Sequence, residues 1–325
     1  MNKDLLKILD LTPEDIVKIL DTADKLKAEQ KSGKPHDFPP GKTLAMIFEK
    51  NSTRTRVSFE VGIFQLGGHG IFLSSAESQI GRGESIADTA RTLSRYCDCI
   101  MIRTYSQNTV EELARYASVP VINGLSDFSH PCQILGDLLT IREHKGRLAG
   151  LKVCFIGDGN NVANSLIVGC LKCGVNIAIA CPIGAEPDQR VLNFAKSVTG
   201  PALTITNDPK TAARDADVIY TDVWASMGQE SEATKRAKMF SGYQVNDELM
   251  AVAKPDCMVQ HCLPAHKGEE ITEAVFEAHA KEIFDEAENR LHVQKAIMYI
   301  LMKQMEADAR FELWEKQAPC GYNPK

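Results

Sequence analysis

Short apolar runs that alternate with helical patterns constrain this chain more than any other feature. Runs at 43–48, 71–74, 99–103 and 119–122 are separated by stretches with apolar residues at helical spacing, and a second series runs through 153–156, 177–180, 203–206, 218–221 and 258–261. Strands alternating with helices build parallel sheets covered on both faces. The expected class is therefore α/β, with two doubly wound domains, each a parallel sheet flanked by helices and linked by interdomain helices. At 325 residues the chain is long for a single core, and two domains of about 150 residues are expected. In such sheets ligands bind in loops at the carboxyl ends of the strands.

Thr12-Pro13-Glu14-Asp15 has the form of a helix start, with a capping threonine, proline in the first helical position and acids in the first turn. Ile16, Ile19, Leu20, Ala23 and Leu26 follow at helical spacing and predict a packing helix. The 145–150 segment, KGRLAG, is the expected boundary between domains, unless the helix preceding it is itself the bridge.

A formal net charge of −6 gives no overall attraction to nucleic acid or an anionic membrane, so any anion site must be local. The first residues lack the order of a signal peptide, and no apolar run approaches the roughly 18 residues of a membrane span. Ten cysteines, several in apolar patterns, suit a reducing compartment and a cytoplasmic protein. Cys170 and Cys173 form a CxxC with no second pair at zinc-like spacing, so no metal site is expected.

The stretch FEKNSTRTRVSFE, 48–60, joins a strand-like run to a helical pattern and places Ser52 to Thr55 at a helix N-terminus. Unpaired N–H groups and the positive end of the helix dipole gather there, and hydroxyls and the Arg54 fork complete a site suited to a dianionic phosphate. Capping accounts for one hydroxyl, but not for two arginines and a second threonine within five positions. The Gln79 loop, Arg103 and the loop before His130 also fall at strand ends. His130 and Gln133 form an i, i+3 pair on the first turn of the helix that follows.

STRTR flanked by Phe-Glu and Ser-Phe-Glu resembles the carbamoyl-phosphate loop of the transcarbamylases. SQIG around Gln79, MIRT around Arg103, HPCQ at 130–133, DVWASMG at 222–228 and HCLP at 261–264 resemble, in order, the ornithine carbamoyltransferases. The resemblance spans nearly the whole chain. It implies a carbamoyl-phosphate domain at 1–145, with a C-terminal helix of about 290–325 packing back on it, and an ornithine domain at 146–289. The implied reaction is attack of the ornithine side-chain amine on carbamoyl phosphate, giving citrulline and phosphate without cofactor or metal. Active sites near the subunit interfaces of a homotrimer are implied too.

By resemblance, Ser52, Thr53, Arg54 and Thr55 bind the phosphate; Thr55, Arg103 and His130 face the carbonyl oxygen; and Gln133 holds the carbamoyl amide. Gln79, Cys262, Leu263 and Arg290 join the carbamoyl-phosphate set, with Gln79 reaching the ligand of a neighbouring subunit. Asn161 takes the ornithine carboxylate, Asp222 and Ser226 the α-ammonium, and Met227 lines the methylene path. Arg103, His130, Asp222 and Cys262 are the catalytic candidates, Cys262 as a polarising group rather than a nucleophile.

The turn GDGNN invites a dinucleotide-binding reading, but Val162 stands where the third glycine belongs and Cys181-Pro182 where an acidic residue would end the next strand. Asn161, exposed at a helix start, fits a substrate-binding turn better. The polar segment after Asp222 has the composition of a mobile lid. Sister enzymes acting on aspartate, putrescine or an acylated ornithine are the alternatives, as is a non-catalytic paralogue. SQIG and SMG argue against the aspartate enzyme. Putrescine has no α-carboxylate, so a chain built for it would not be expected to keep the complete Asp222 to Gly228 set, and a paralogue would be expected to lose at least one matched residue.

Overall fold

The computed structural model describes residues 1–76, 79, 82–225 and 233–317, with side chains described through 308 except at 233. Helix α1 (Pro13–Lys31) begins at Thr12, which exchanges hydrogen bonds with Asp15 in a capping box, and its five apolar stripe residues are all buried. The chain then alternates through β1 (Thr43–Phe48), α2 (Thr53–Gln65), β2 (His69–Ser74), α3 (Ile86–Tyr96), β3 (Cys99–Arg103), α4 (Gln107–Tyr116) and β4 (Val121–Leu125). These strands form a parallel sheet in the order β2-β1-β3-β4.

Helix α5 (Pro131–Lys145) leaves the end of β4 and is buried at every position from Pro131 to Ile141. Burial all round marks a helix enclosed on every side rather than a surface helix. The second series follows: β5 (Lys152–Ile156), α6 (Asn161–Lys172), β6 (Asn176–Ala180), α7 (Gln189–Ser197), β7 (Leu203–Thr206), α8 (Pro209–Ala213), β8 (Val218–Thr221), α9 (Ala233–Met239), α10 (Asp247–Met250), β9 (Met258–His261) and α11 (Glu273–Ala278). Its sheet is also parallel, in the order β7-β6-β5-β8-β9. The last helix, α12 (Ala280–Gln317), packs on α1, α2 and α5, and one hydrophobic core runs from the first sheet through α5 and α12 to the second.

Several element bounds differ from the sequence reading, and two of the differences have a local reason. The fourth strand begins at Val121, after Pro120, which has no N–H to give a ladder and contributes only its carbonyl, to the Ile100 N–H. The terminal helix begins at Ala280 rather than beyond Arg290, because its first turns mix acids and an exposed Phe284 and show no clean apolar stripe.

Strand order reverses between β1 and β3 in the first sheet and between β5 and β8 in the second. Such switch points open crevices beyond the carboxyl ends of the strands. At the outer edges, Leu5 bridges to Ile122 and covers β4, whereas among the described residues β2 has β1 as its one strand partner. Beside that open edge, Phe64 is 76% exposed, Val57 50% and Ile71 39%. Among the described residues no helix is long and apolar enough to cross a membrane.

Candidate active site

At the first switch point, Ser52 sits in extended backbone as the N-cap of α2. Its Oγ accepts the Thr55 N–H at 3.2 Å and donates to Thr55 Oγ1 at 3.1 Å. The first turn of any helix carries N–H groups that no preceding carbonyl can satisfy, and residues 50–55 line a cleft of about 370 Å³. Arg54 keeps much of its surface exposed, yet its guanidinium borders the cleft, and desolvation with repulsion from Arg290 lowers its proton affinity. Arg56 does not join it: it pairs with Glu60 at 3.0 Å and lies over the Phe72 ring at 3.8 Å.

Arg103, at the end of β3, is 5% exposed and donates to Thr55 Oγ1 at 3.5 Å. Burial first, then repulsion from Arg290 and Arg54, pulls its pKa down to about 10. Arg290 reaches the same hydroxyl at 3.5 Å from α12, and its other terminal nitrogen donates to Gln133 Oε1. Three guanidinium groups that repel one another around a helix N-terminus make an anion-binding pocket, since a dianion relieves the repulsion.

His130 caps α5 by position, and its backbone N–H donates to Ser165 Oγ on α6 at 2.9 Å. Burial, then the charges of Arg290 and Arg103, hold the imidazole well below its usual pKa, so the ring is neutral. Its Nδ1 is buried without a protein partner. Gln133 Nε2 donates to Asp137 Oδ1 and to Glu286 Oε1, each at 2.8 Å.

The second switch point forms the opposite wall. Gly159 lets the GDGNN turn close on 185–187: a Cβ there would lie 2.3 Å from Glu186 C and Pro187 N. Asn160, not Asn161, is the N-cap of α6, and its Nδ2 donates to Asp222 Oδ2 at 2.9 Å. Asn161 lines the cleft, half-buried rather than exposed, with its amide on the Ser126 carbonyl at 2.6 Å. Asp222 Oδ1 accepts the Val223 N–H at 2.8 Å and the Cys262 thiol at 3.0 Å.

Leu263 adopts φ +56°, a left-handed conformation strained for a side chain of this size. Its N–H donates to His261 Nδ1 at 2.9 Å, and His261 Nε2, which therefore carries the proton, donates to Glu270 at 2.9 Å. That relay holds the turn carrying Cys262 and Leu263 against the cleft.

The cleft thus brings together Ser52, Thr53, Arg54, Thr55, Arg103, His130, Gln133, Asn161, Asp222, Cys262, Leu263 and Arg290. Gln79 is exposed in a bend away from it, its carbonyl accepting the N–H groups of Arg82 and Glu84. Ser226 and Met227 lie outside the described residues.

Residues 3–143 match the family model described as aspartate/ornithine carbamoyltransferase, carbamoyl-P binding domain, and residues 149–301 match the Asp/Orn binding domain. The chain belongs to the aspartate/ornithine carbamoyltransferase family. An ornithine carbamoyltransferase of Geobacter metallireducens is 57% identical over 303 residues, 93% of this chain and 100% of that protein. The solved ornithine carbamoyltransferase of Pyrococcus furiosus superposes with a TM-score of 0.88 at 55% identity, covering 92% of this chain and 97% of that one. The anabolic enzyme of Campylobacter jejuni also reaches 0.88, at 42% identity, covering 93% and 100%.

In this carbamoyltransferase four contributors escaped the sequence reading. Lys50 lines the cleft and lies over the Tyr105 ring at 4.0 Å. Asn160 was legible as an Asx residue beside Asn161, but nothing local tells which of two asparagines caps the helix. Asp137 and Glu286 touch Gln133 from positions far apart in the chain, so no local pattern joins them.

Proposed function

We propose that this protein transfers the carbamoyl group of carbamoyl phosphate to the side-chain amine of L-ornithine, giving L-citrulline and phosphate. The observation that carries the reading is one cleft in which three guanidinium groups and the α2 N-terminus face Asp222 and the Asn160-Asn161 turn. One wall suits a dianion and the other an amino acid.

In this reading Ser52, Thr53, Arg54 and Thr55 hold the phosphate, and Gln133 holds the carbamoyl amide. Arg103, Thr55 and neutral His130 donate to the carbonyl oxygen, and Arg290 steadies Gln133. The charge that develops on that oxygen in the tetrahedral transition state meets donors already in place. Ornithine lies along the second wall, with its carboxylate on Asn161, its α-ammonium on Asp222 and Ser226, and its methylenes against Met227 and Leu263. Its side-chain amine, with an ordinary pKa of about 10, enters among three cations, which favour the neutral, nucleophilic form. Attack forms the C–N bond, collapse breaks the C–O bond to phosphate, and the amine proton leaves with the phosphate. The phosphate is already a good leaving group, so positioning and electrostatics suffice and no cofactor is needed.

The same reading assigns 1–145 with about 290–325 to carbamoyl phosphate and 146–289 to ornithine. It also makes the protein a cytoplasmic homotrimer. The open β2 edge and exposed Phe64, Val57 and Ile71 beside the cradle support an interface there. Every cysteine among the described residues is a free thiol, which suits a reducing compartment. Steady-state assays with carbamoyl phosphate and ornithine, putrescine, aspartate or N-acetylornithine test the substrate, with ornithine expected to give the highest kcat/KM. Preference for any other amine would overturn the assignment.

A further inference from the structure

Beneath the cleft lies a pair of carboxyl groups that the reaction does not consume. Asp137 on α5 is fully buried and Glu286 on α12 is 1% exposed. They meet around a single amide: Gln133 Nε2 gives one hydrogen to Asp137 Oδ1 and the other to Glu286 Oε1. The donors are unequally shared. Glu286 also accepts the His261 N–H at 2.9 Å and the Tyr220 hydroxyl at 3.4 Å, whereas Asp137 Oδ2 is buried with no donor upon it.

Two carboxylates facing each other in a buried site cannot both ionise cheaply, and a carboxylate surrounded by donors keeps its charge more readily than one without them. We propose that Asp137 and Glu286 share one proton between them and act as a positioning pair that fixes the amide of Gln133 with its oxygen turned toward Arg290 and the cleft. The pair then carries one negative charge beside the one positive charge of Arg290.

Burial raises the proton affinity of both carboxyls and Arg290 opposes the rise in both; between the two acids, Asp137 raises the affinity of Glu286, whereas hydrogen bonds with Glu286, Gln133 and Tyr220 lower that of Asp137. Tyr220 on β8, itself held well above its usual pKa by burial and by these two acids, stays protonated and donates. Cys262 and Asp222 act on Tyr220 from the cleft side, and the buried Cys170 thiol on α6 feels Asp137 from behind. The His261 N–H opens the turn that carries Cys262 and Leu263, so Glu286 connects the amide holder on α5 to that turn.

With Gln133 pinned through its nitrogen, only its oxygen can face the ligand, where it can accept from an NH2 group. A second ionisation would put a second charge against the first and loosen the amide. Carbamoyl-phosphate binding should therefore weaken as pH rises through the loss of the shared proton, over a range in which the phosphate is already dianionic because its second pKa is near 6. This role rests on the carbamoyl-phosphate reading of the cleft, whereas the shared proton does not.

Two measurements on the intact protein separate the two. Infrared spectroscopy of the parent at neutral pH should show the carbonyl stretch of a buried protonated carboxyl, absent from Asp137→Asn, whose amide mimics the protonated acid. No such band, or a band that persists in Asp137→Asn, would overturn the shared proton whatever the protein catalyses. Calorimetry of carbamoyl phosphate, without amine, should then show affinity falling with rising pH in the parent and flat in Asp137→Asn. Asp137→Asn should bind within about threefold of the parent at neutral pH, and Glu286→Gln, which turns an NH2 toward the His261 N–H, ~10–100-fold more weakly, as expected when a buried donor loses its acceptor. An unchanged pH dependence in Asp137→Asn, or equal losses in the two variants, would reduce the pair to packing. If carbamoyl phosphate fails to bind the parent at all, the functional reading falls while the infrared result still decides the proton.

Discussion

The thiol of Cys262 donates to Asp222 Oδ1 across 3.0 Å, joining the turn after β9 to the end of β8. Some of the residue's surface is exposed, but the sulfur is enclosed by protein, and burial followed by the Asp222 charge pushes the thiol well above its ordinary pKa. A thiol so held is a hydrogen-bond donor, since the nucleophile would be the thiolate. Iodoacetamide should label Cys262 slowly near pH 8, and Asp222→Asn, by removing the charge, should speed labelling several-fold. Peptide mass spectrometry measures both rates, and rapid labelling of the parent would contradict the donor role.

Asp222→Asn should also weaken ornithine far more than carbamoyl phosphate, because it removes the counter-charge assigned to the α-ammonium. Norvaline, which lacks the reactive amine, should bind the parent only after carbamoyl phosphate. Equal norvaline affinity with and without carbamoyl phosphate in calorimetry would exclude ordered binding.

Arg103→Ala should lower kcat by ~10²–10³, the usual loss for one oxyanion donor, and change carbamoyl-phosphate affinity less. The guanidinium is already in contact with Thr55 at the cleft, so its interaction strengthens as charge develops on the carbonyl oxygen. A variant that lost affinity alone and kept its saturated turnover would refute the assignment.

His130 is held neutral well below its usual value of 6.5. The unfolded chain then binds a proton at this site that the folded chain refuses, so stability falls as pH drops below 6.5, by up to about 1.4 kcal/mol per pH unit. Thermal melts of His130→Asn should lack this part of the acid sensitivity. Its turnover should drop while the acid limb of the rate profile, set by the ornithine ammonium, stays in place.

Gln79 lies outside the cleft of its own chain, which motivates a test of sharing between subunits. If each site takes Arg103 from one chain and Gln79 from the next around a ring, mixing inactive Arg103→Ala and Gln79→Glu chains equally should restore about a quarter of all sites. Assay after dissociation and reassociation, with mixed trimers verified by mass, reads this directly. No recovery would place Gln79 in its own subunit's site or in none.

Residue types and their periodicity were enough for the alternation of strands and helices, the position of Ser52 to Thr55 at a helix start, and Arg103 and Asp222 at strand ends, because these depend on contacts within a few residues. What sequence alone left open was long-range. The positions of the two switch points, between β1 and β3 and between β5 and β8, follow from strand order, which no local pattern encodes. Arg290 enters the cleft only because α12 folds back along α5, and Glu286 reaches Asp137 by the same return across the core. The second arginine of STRTR, equal to the first in sequence, turns away to Glu60 and Phe72. Helix phase and neighbouring side chains made that choice, so the motif named the chemistry and tertiary packing decided which of its groups perform it.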